Sequence, residues 1–163
     1  MTRDGKRSKF YQTERLIFRL MERPGGGAHT VELAGTTITV PAEAKFGSVD
    51  SVQRYVDQVL GAEAVARAFD RAAVPISVRD RKSAQAAHYT AATAEIAVPA
   101  SSENRWAMRE LVILHEVAHH LDSSGGPSHG PGFAQTLITL VGLVLGPETA
   151  LVYRVLLGEA GLT

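Results

Sequence analysis

The sequence predicts an α+β fold on three observations. Segments of helical and of strand periodicity are mixed, without the regular strand–helix alternation that builds parallel α/β sheets. The longest periodic segment, residues 103–121, is helical and sits among shorter strand-like runs. The chain has 163 residues, 45% of them hydrophobic. A chain of this size buries roughly two-thirds of its surface and needs no covalent staples.

Each element has a local justification. Residues 1–8 are basic and polar and read as a disordered tail, leaving 9–163 as one domain. From Lys9 to Glu22 the apolar residues Phe10, Leu16, Ile17, Leu20 and Met21 recur at helical spacing, and Pro24-Gly25-Gly26-Gly27 stops them. His29–Leu33 and Thr36–Val40 are β-favouring runs on either side of Ala34-Gly35, a hairpin pattern. Ser48 is placed to cap a helix with Val49, Val52, Tyr55, Val56 and Val59 on one face, closed at Gly61. Ala62–Ala73 reads as a further helix and Ile76–Val78 as a strand; Ala86–Ala91 and Glu95–Val98 form a second hairpin. The long helix is expected over Glu103–Leu121, capped by Ser101 or Ser102, with Trp106 in the core. Two helices follow, Pro131 to about Leu145 and Pro147 to about Glu159, each with proline in the first turn where it is tolerated.

Composition excludes several classes. Seventeen basic residues balance seventeen acidic ones, so no global field attracts nucleic acid or anionic lipid. No cysteine is present, which removes disulfides, thiolate nucleophiles and Cys-built metal sites. The basic N-terminus leads into Glu14, Arg15 and Arg19 rather than the apolar run of a signal peptide, and the apolar stretch Leu137–Leu145 is about half a membrane span. A cytoplasmic protein is the expectation. Any transition-metal site must use His, Asp and Glu, and four of the six histidines fall between residues 115 and 129.

His115-Glu116-Val117-Ala118-His119 is an H-E-x-x-H sequence inside the long helical pattern. Residues four apart share a helix face, so both imidazoles can aim at one point and bind zinc at roughly 2.0–2.1 Å. Glu116 is turned about 100° from His115, beside a metal rather than on it, where a carboxylate can act as general base. The flanking Leu111-Val112-Ile113-Leu114 is apolar. Two histidines and a glutamate buried there without partners would cost several kcal/mol, a cost that a metal resolves.

A catalytic zinc site needs a third protein ligand and an open fourth position. His129 is the expected one, after the turn signal Gly125-Gly126-Pro127 and just before the Pro131 helix. The intervening residues can span roughly 30 Å if extended, so reach is no obstacle. Asp122, His120, Glu148 and Glu159 are the competing candidates. Asp122 serves equally as a helix-end residue or as acceptor for a ligand ring N–H. His120 is expected to face solvent or to neighbour the site, and His88, Tyr89, Tyr153 and Arg154 are further residues that a cleft can use.

These residues resemble known families. His115-Glu116-x-x-His119 followed by Ser128-His129-Gly130-Pro131-Gly132-Phe133 looks like the minimal zincins of the SprT/Spartan type, over about residues 85–145. Over nearly the whole chain, Ser51-Val52-Gln53-Arg54-Tyr55-Val56, Ala87-His88-Tyr89 and Arg109-Glu110-Leu111 resemble an uncharacterised actinobacterial family of metallohydrolases. The spacing is not that of the metzincins, no Met-turn follows, and Gly132 stands where the SprT segment has glutamate. The resemblance implies a zincin-like fold, a small mixed or antiparallel sheet on the H-E-x-x-H helix with further C-terminal helices. It implies Zn2+ held by His115, His119 and His129, Glu116 as base, and a peptide or protein substrate. No nucleic-acid or membrane partner is indicated. Two alternatives stand beside the metallopeptidase: a metallohydrolase of another specificity, such as a ribonuclease or small-amide hydrolase, and a non-catalytic binding protein stabilised by metal.

Overall fold

The computed structural model describes residues 3–23, 25–101, 103 and 105–163, with the side chains of residues 3 and 4 left aside. It is α+β, with six α-helices and two small sheets among the described residues. These gather into two compact units, Met1–Glu43 with Ser124–Thr163, and Ala44–Ser123.

The first unit holds helix α1 (Arg3–Met21), strands β1 (His29–Leu33) and β2 (Thr36–Val40), and helices α5 (Pro131–Leu145) and α6 (Pro147–Glu159). Helix α1 begins at Arg3, so residues 3–8 are helical rather than the disordered tail that their polarity suggested, while Met1 and Thr2 lie outside the described residues. Its buried side contains Phe10, Ile17, Phe18 and Met21, which is the helical period of the sequence made physical. Strands β1 and β2 pair antiparallel from His29–Val40 to Leu33–Thr36. The turn between them has φ of +48° at Ala34 and +78° at Gly35. Two left-handed residues in a two-residue hairpin match the right-handed strand twist, and alanine is the wrong residue for the first of them. Ala34→Asn is therefore expected to stabilise the protein by about 0.5–1 kcal/mol. A urea titration giving no gain or a loss would contradict this reading of the turn.

Helices α5 and α6 pack on one another, and α1 and β2 pack on α6. The α5–α6 corner is Gly146 at φ +104°, a conformation that L side chains rarely adopt. At Gly142 a β-carbon would stand 3.1 Å from that of Ala150, so glycine there permits the close helix approach.

The second unit contains helix α2 (Val49–Gly61), α3 (Glu63–Ala68), a 3-10 turn (Asp70–Ala73), strands β3 (Ser77–Asp80), β4 (His88–Thr90) and β5 (Glu95–Val98), and helix α4 (Glu110–Leu121). Its sheet has the order β3-β5-β4, with β3 parallel and β4 antiparallel to β5. Ser48 caps α2 as expected, in a capping box whose second member is Ser51. On α2 the Gln53 side chain behaves like a length of strand backbone: its amide nitrogen donates to Ile76 O at 2.9 Å and its oxygen accepts from Val78 N at 2.8 Å. The helix expected over 62–73 is instead two pieces, interrupted at Phe69, whose φ of −136° and ψ of +114° are extended.

Helix α4 is shorter than its periodicity suggested, starting at Glu110 rather than Glu103. Ser102 lies outside the described residues, and Arg109 takes the N-cap position. The reason is non-local. Phe46 N donates to Met108 O and Glu110 N to Ala44 O, both at 2.9 Å, so the backbone before α4 is committed to a bridge with residues 44–46. Trp106, expected in the core, is 44% exposed on this irregular approach. No helix among the described residues is long and apolar enough to cross a membrane.

Candidate metal centre

Helix α4 is apolar on nearly every side, and of its residues from Glu110 to Leu121 only His119 is partly exposed. Its start is fixed by Glu110, a carboxylate 6% exposed that accepts from Ala44 N at 2.9 Å and from the Tyr55 hydroxyl. Its end is fixed by a reciprocal pair with the 3-10 turn. Arg71 Nε donates to His120 O at 2.8 Å, and His120 Nε2 lies 3.0 Å from Arg71 O and 2.9 Å from Val74 O.

Two carbonyl oxygens can only accept, so His120 Nε2 carries the proton and Nδ1 accepts from the Tyr89 hydroxyl at 2.9 Å. His120 is 1% exposed, which leaves the second of its two expected places, a neighbour of the site rather than a solvent-facing residue. Burial holds its pKa below the ordinary histidine value, with the Arg71 charge acting in the same direction and the two carbonyls opposing. A neutral imidazole that spends both nitrogens on structure is an anchor for α4, and Tyr89 acquires a role through it.

Between these two anchors the helix presents His115 and His119. Their Nε2 atoms are 3.1 Å apart, with ring centroids separated by 4.9 Å. Two nitrogens bound tetrahedrally to one zinc at roughly 2.0–2.1 Å stand about 3.3 Å apart, so this pair is already at metal-bridging distance. Glu116, 8% exposed, follows His115 on the adjoining face.

His129 is held by a different set of constraints. Gly130 N donates to Pro127 O at 2.8 Å, closing a tight turn, and Ala134 N donates to Gly130 O at 2.9 Å to begin α5. A β-carbon at Gly130 would stand 2.9 Å from Pro127 O, and one at Gly132 would stand 2.3 Å from Ser124 Oγ. Neither position admits a side chain without displacing the loop. His129 itself has φ +63°, a left-handed backbone unusual for a residue other than glycine. Its ring is packed by Phe133, Phe10 and Tyr11 at centroid distances of 5.1, 5.3 and 5.0 Å.

One ligand nitrogen each from His115, His119 and His129 can be chosen so that all three lie within 4.8 Å of one another. Among the described residues this is the one such group, with His115 and His129 buried and His119 partly exposed. Three close imidazoles without thiolates fit a borderline divalent cation such as zinc. The rival ligands stand elsewhere in role or exposure. His120 is committed to Arg71, Val74 and Tyr89; Asp122 is the C-cap of α4, its N–H donating to Ala118 O; Glu148 and Glu159 are exposed. Tyr153 is fully buried while Arg154 and His88 are exposed. Phe10 and Tyr11 were not legible as neighbours of His129, because nothing in a sequence marks which helix positions will meet a histidine far along the chain. The chain matches no protein-family model, curated protein or solved structure.

Proposed function

We propose that this protein is a zinc-dependent hydrolase of zincin-like architecture, most simply a metallopeptidase. The carrying observation is the three-histidine group, two of its members buried and His119 partly exposed, with a glutamate next to its first member. A closed structural zinc site uses four protein ligands, whereas the group among the described residues has three, which favours an open coordination position and hence catalysis. The likeness of the two motif segments to SprT-type zincins points the same way.

His115, His119 and His129 hold the ion. When bound, it supplies Lewis acidity, polarising a scissile carbonyl and lowering the pKa of water towards 7. Glu116 accepts the proton that the attacking water loses and returns it to the leaving nitrogen.

The test is metal content. Tag-free protein is expected to carry about one zinc per chain by plasma mass spectrometry, and His129→Ala to lose it or bind it far more weakly. No zinc in the purified protein and none taken up on titration would overturn the proposal.

A further inference from the structure

Helix α1 has an exposed face without counter-charge. Between residues 6 and 19 its exposed positions carry Lys6, Arg7, Arg15 and Arg19 and no acid, and the one acid in that stretch, Glu14, is buried. Arg7, Tyr11, Arg15 and Arg19 recur every fourth residue, so they follow one side of the helix at intervals of about 6 Å. Among the described residues the Arg15 and Arg19 side chains make no ion pair or hydrogen bond.

The chain as a whole hides this asymmetry. Residues 3–23 contain seven basic and three acidic side chains, so the rest of a formally neutral protein is net negative by four. Near one end of the face the Arg7 guanidinium carbon lies 5.8 Å from the centroid of the Tyr11 ring, and that ring is 5.0 Å from the ring of His129. Further along, Leu16 is 47% exposed beside Arg15.

We infer that this face of α1 docks an acidic, partly apolar segment of polypeptide and leads it towards His129. An extended peptide places alternate side chains about 6.6–6.8 Å apart, close to the spacing of the arginine row. Apolar side chains on the same side of the segment as its acids meet Tyr11, within the row, and Leu16 beside it. A nucleic-acid strand has the phosphate spacing, but its dense charge is opposed by the negative remainder of the protein. That the docked segment is also the substrate rests on the peptide-hydrolase reading; the docking itself does not.

The test uses the full chain, with zinc and after chelation, and fluorescence anisotropy of a labelled peptide of about eight residues alternating Glu and Leu, enough to run the length of the face. Saturable binding that weakens with salt is expected, and the doubly substituted Arg15→Glu, Arg19→Glu protein should bind at least about tenfold more weakly. Both positions are exposed, so zinc content and unfolding midpoint should not move. Arg15→Gln with Arg19→Gln should give an intermediate loss. The inference is overturned if the charge-reversed protein binds as well as wild type, if a Lys–Leu peptide binds equally, or if a single-stranded RNA of the same length binds and the acidic peptide does not. Docking without any zinc uptake would defeat the hydrolase reading alone. Zinc uptake with peptide turnover, but no measurable binding of the Glu–Leu peptide, would defeat the docking alone.

Discussion

Glu116→Gln is expected to keep its zinc and lose about 10²–10⁴-fold in hydrolytic turnover, the usual contribution of a positioned general base. The amide preserves shape and can still hydrogen-bond, so α4 should fold unchanged. It cannot take a proton from water at neutral pH. The informative experiment measures both properties on one preparation: zinc per chain, and the rate of peptide cleavage with zinc in excess. Full activity in the variant would remove Glu116 from the mechanism. Loss of zinc together with activity would place its carboxylate among the ligands, contrary to the assignment of His115, His119 and His129.

The second large effect concerns stability and lies at the other end of the same helix. Glu110→Ala removes the acceptor for Ala44 N and for the Tyr55 hydroxyl in a position 6% exposed. Ala44 is exposed and Tyr55 half-buried, so water reaches the freed donors, but a charged acceptor makes the stronger bond, and a loss of about 2 kcal/mol is expected. Tyr55→Phe removes only one of the two interactions and should cost about 1 kcal/mol. Denaturant midpoints for the two single variants and the double variant would show non-additivity, because the residues are in direct contact. A Glu110→Ala protein as stable as wild type would mean that the approach to α4 is held by backbone pairing alone.

Legibility differed between kinds of structure, for physical reasons. Elements bounded by local chemistry were readable to the residue. Pro131 and Pro147 open α5 and α6, Gly146 separates them, Ser48 caps α2, and the hairpin turns at Ala34-Gly35. Where a boundary depends on distant chain, the pattern misled. Residues 103–109 have apolar spacing compatible with helix, yet Met108 and Glu110 give their backbone groups to residues 44–46. The histidine pair was legible because helical geometry alone brings His115 and His119 together. His129 needed only reach and a turn signal. For His120 the sequence left solvent and site neighbour both open, because its environment comes from Arg71 and Val74, some fifty residues earlier, and no local rule announces a pair of carbonyls waiting there.

The left-handed backbone at His129 carries an evolutionary consequence. Local conformational preference favours glycine or asparagine at φ +63°, and a histidine there is strained by roughly 1–2 kcal/mol. On the proposed zinc-binding reading, coordination is worth far more than that to the folded chain. Selection for heat resistance with zinc present therefore retains histidine at this position. The same selection under chelation releases it, and populations drawn from one ancestor should diverge at residue 129 according to the metal supply of their surroundings.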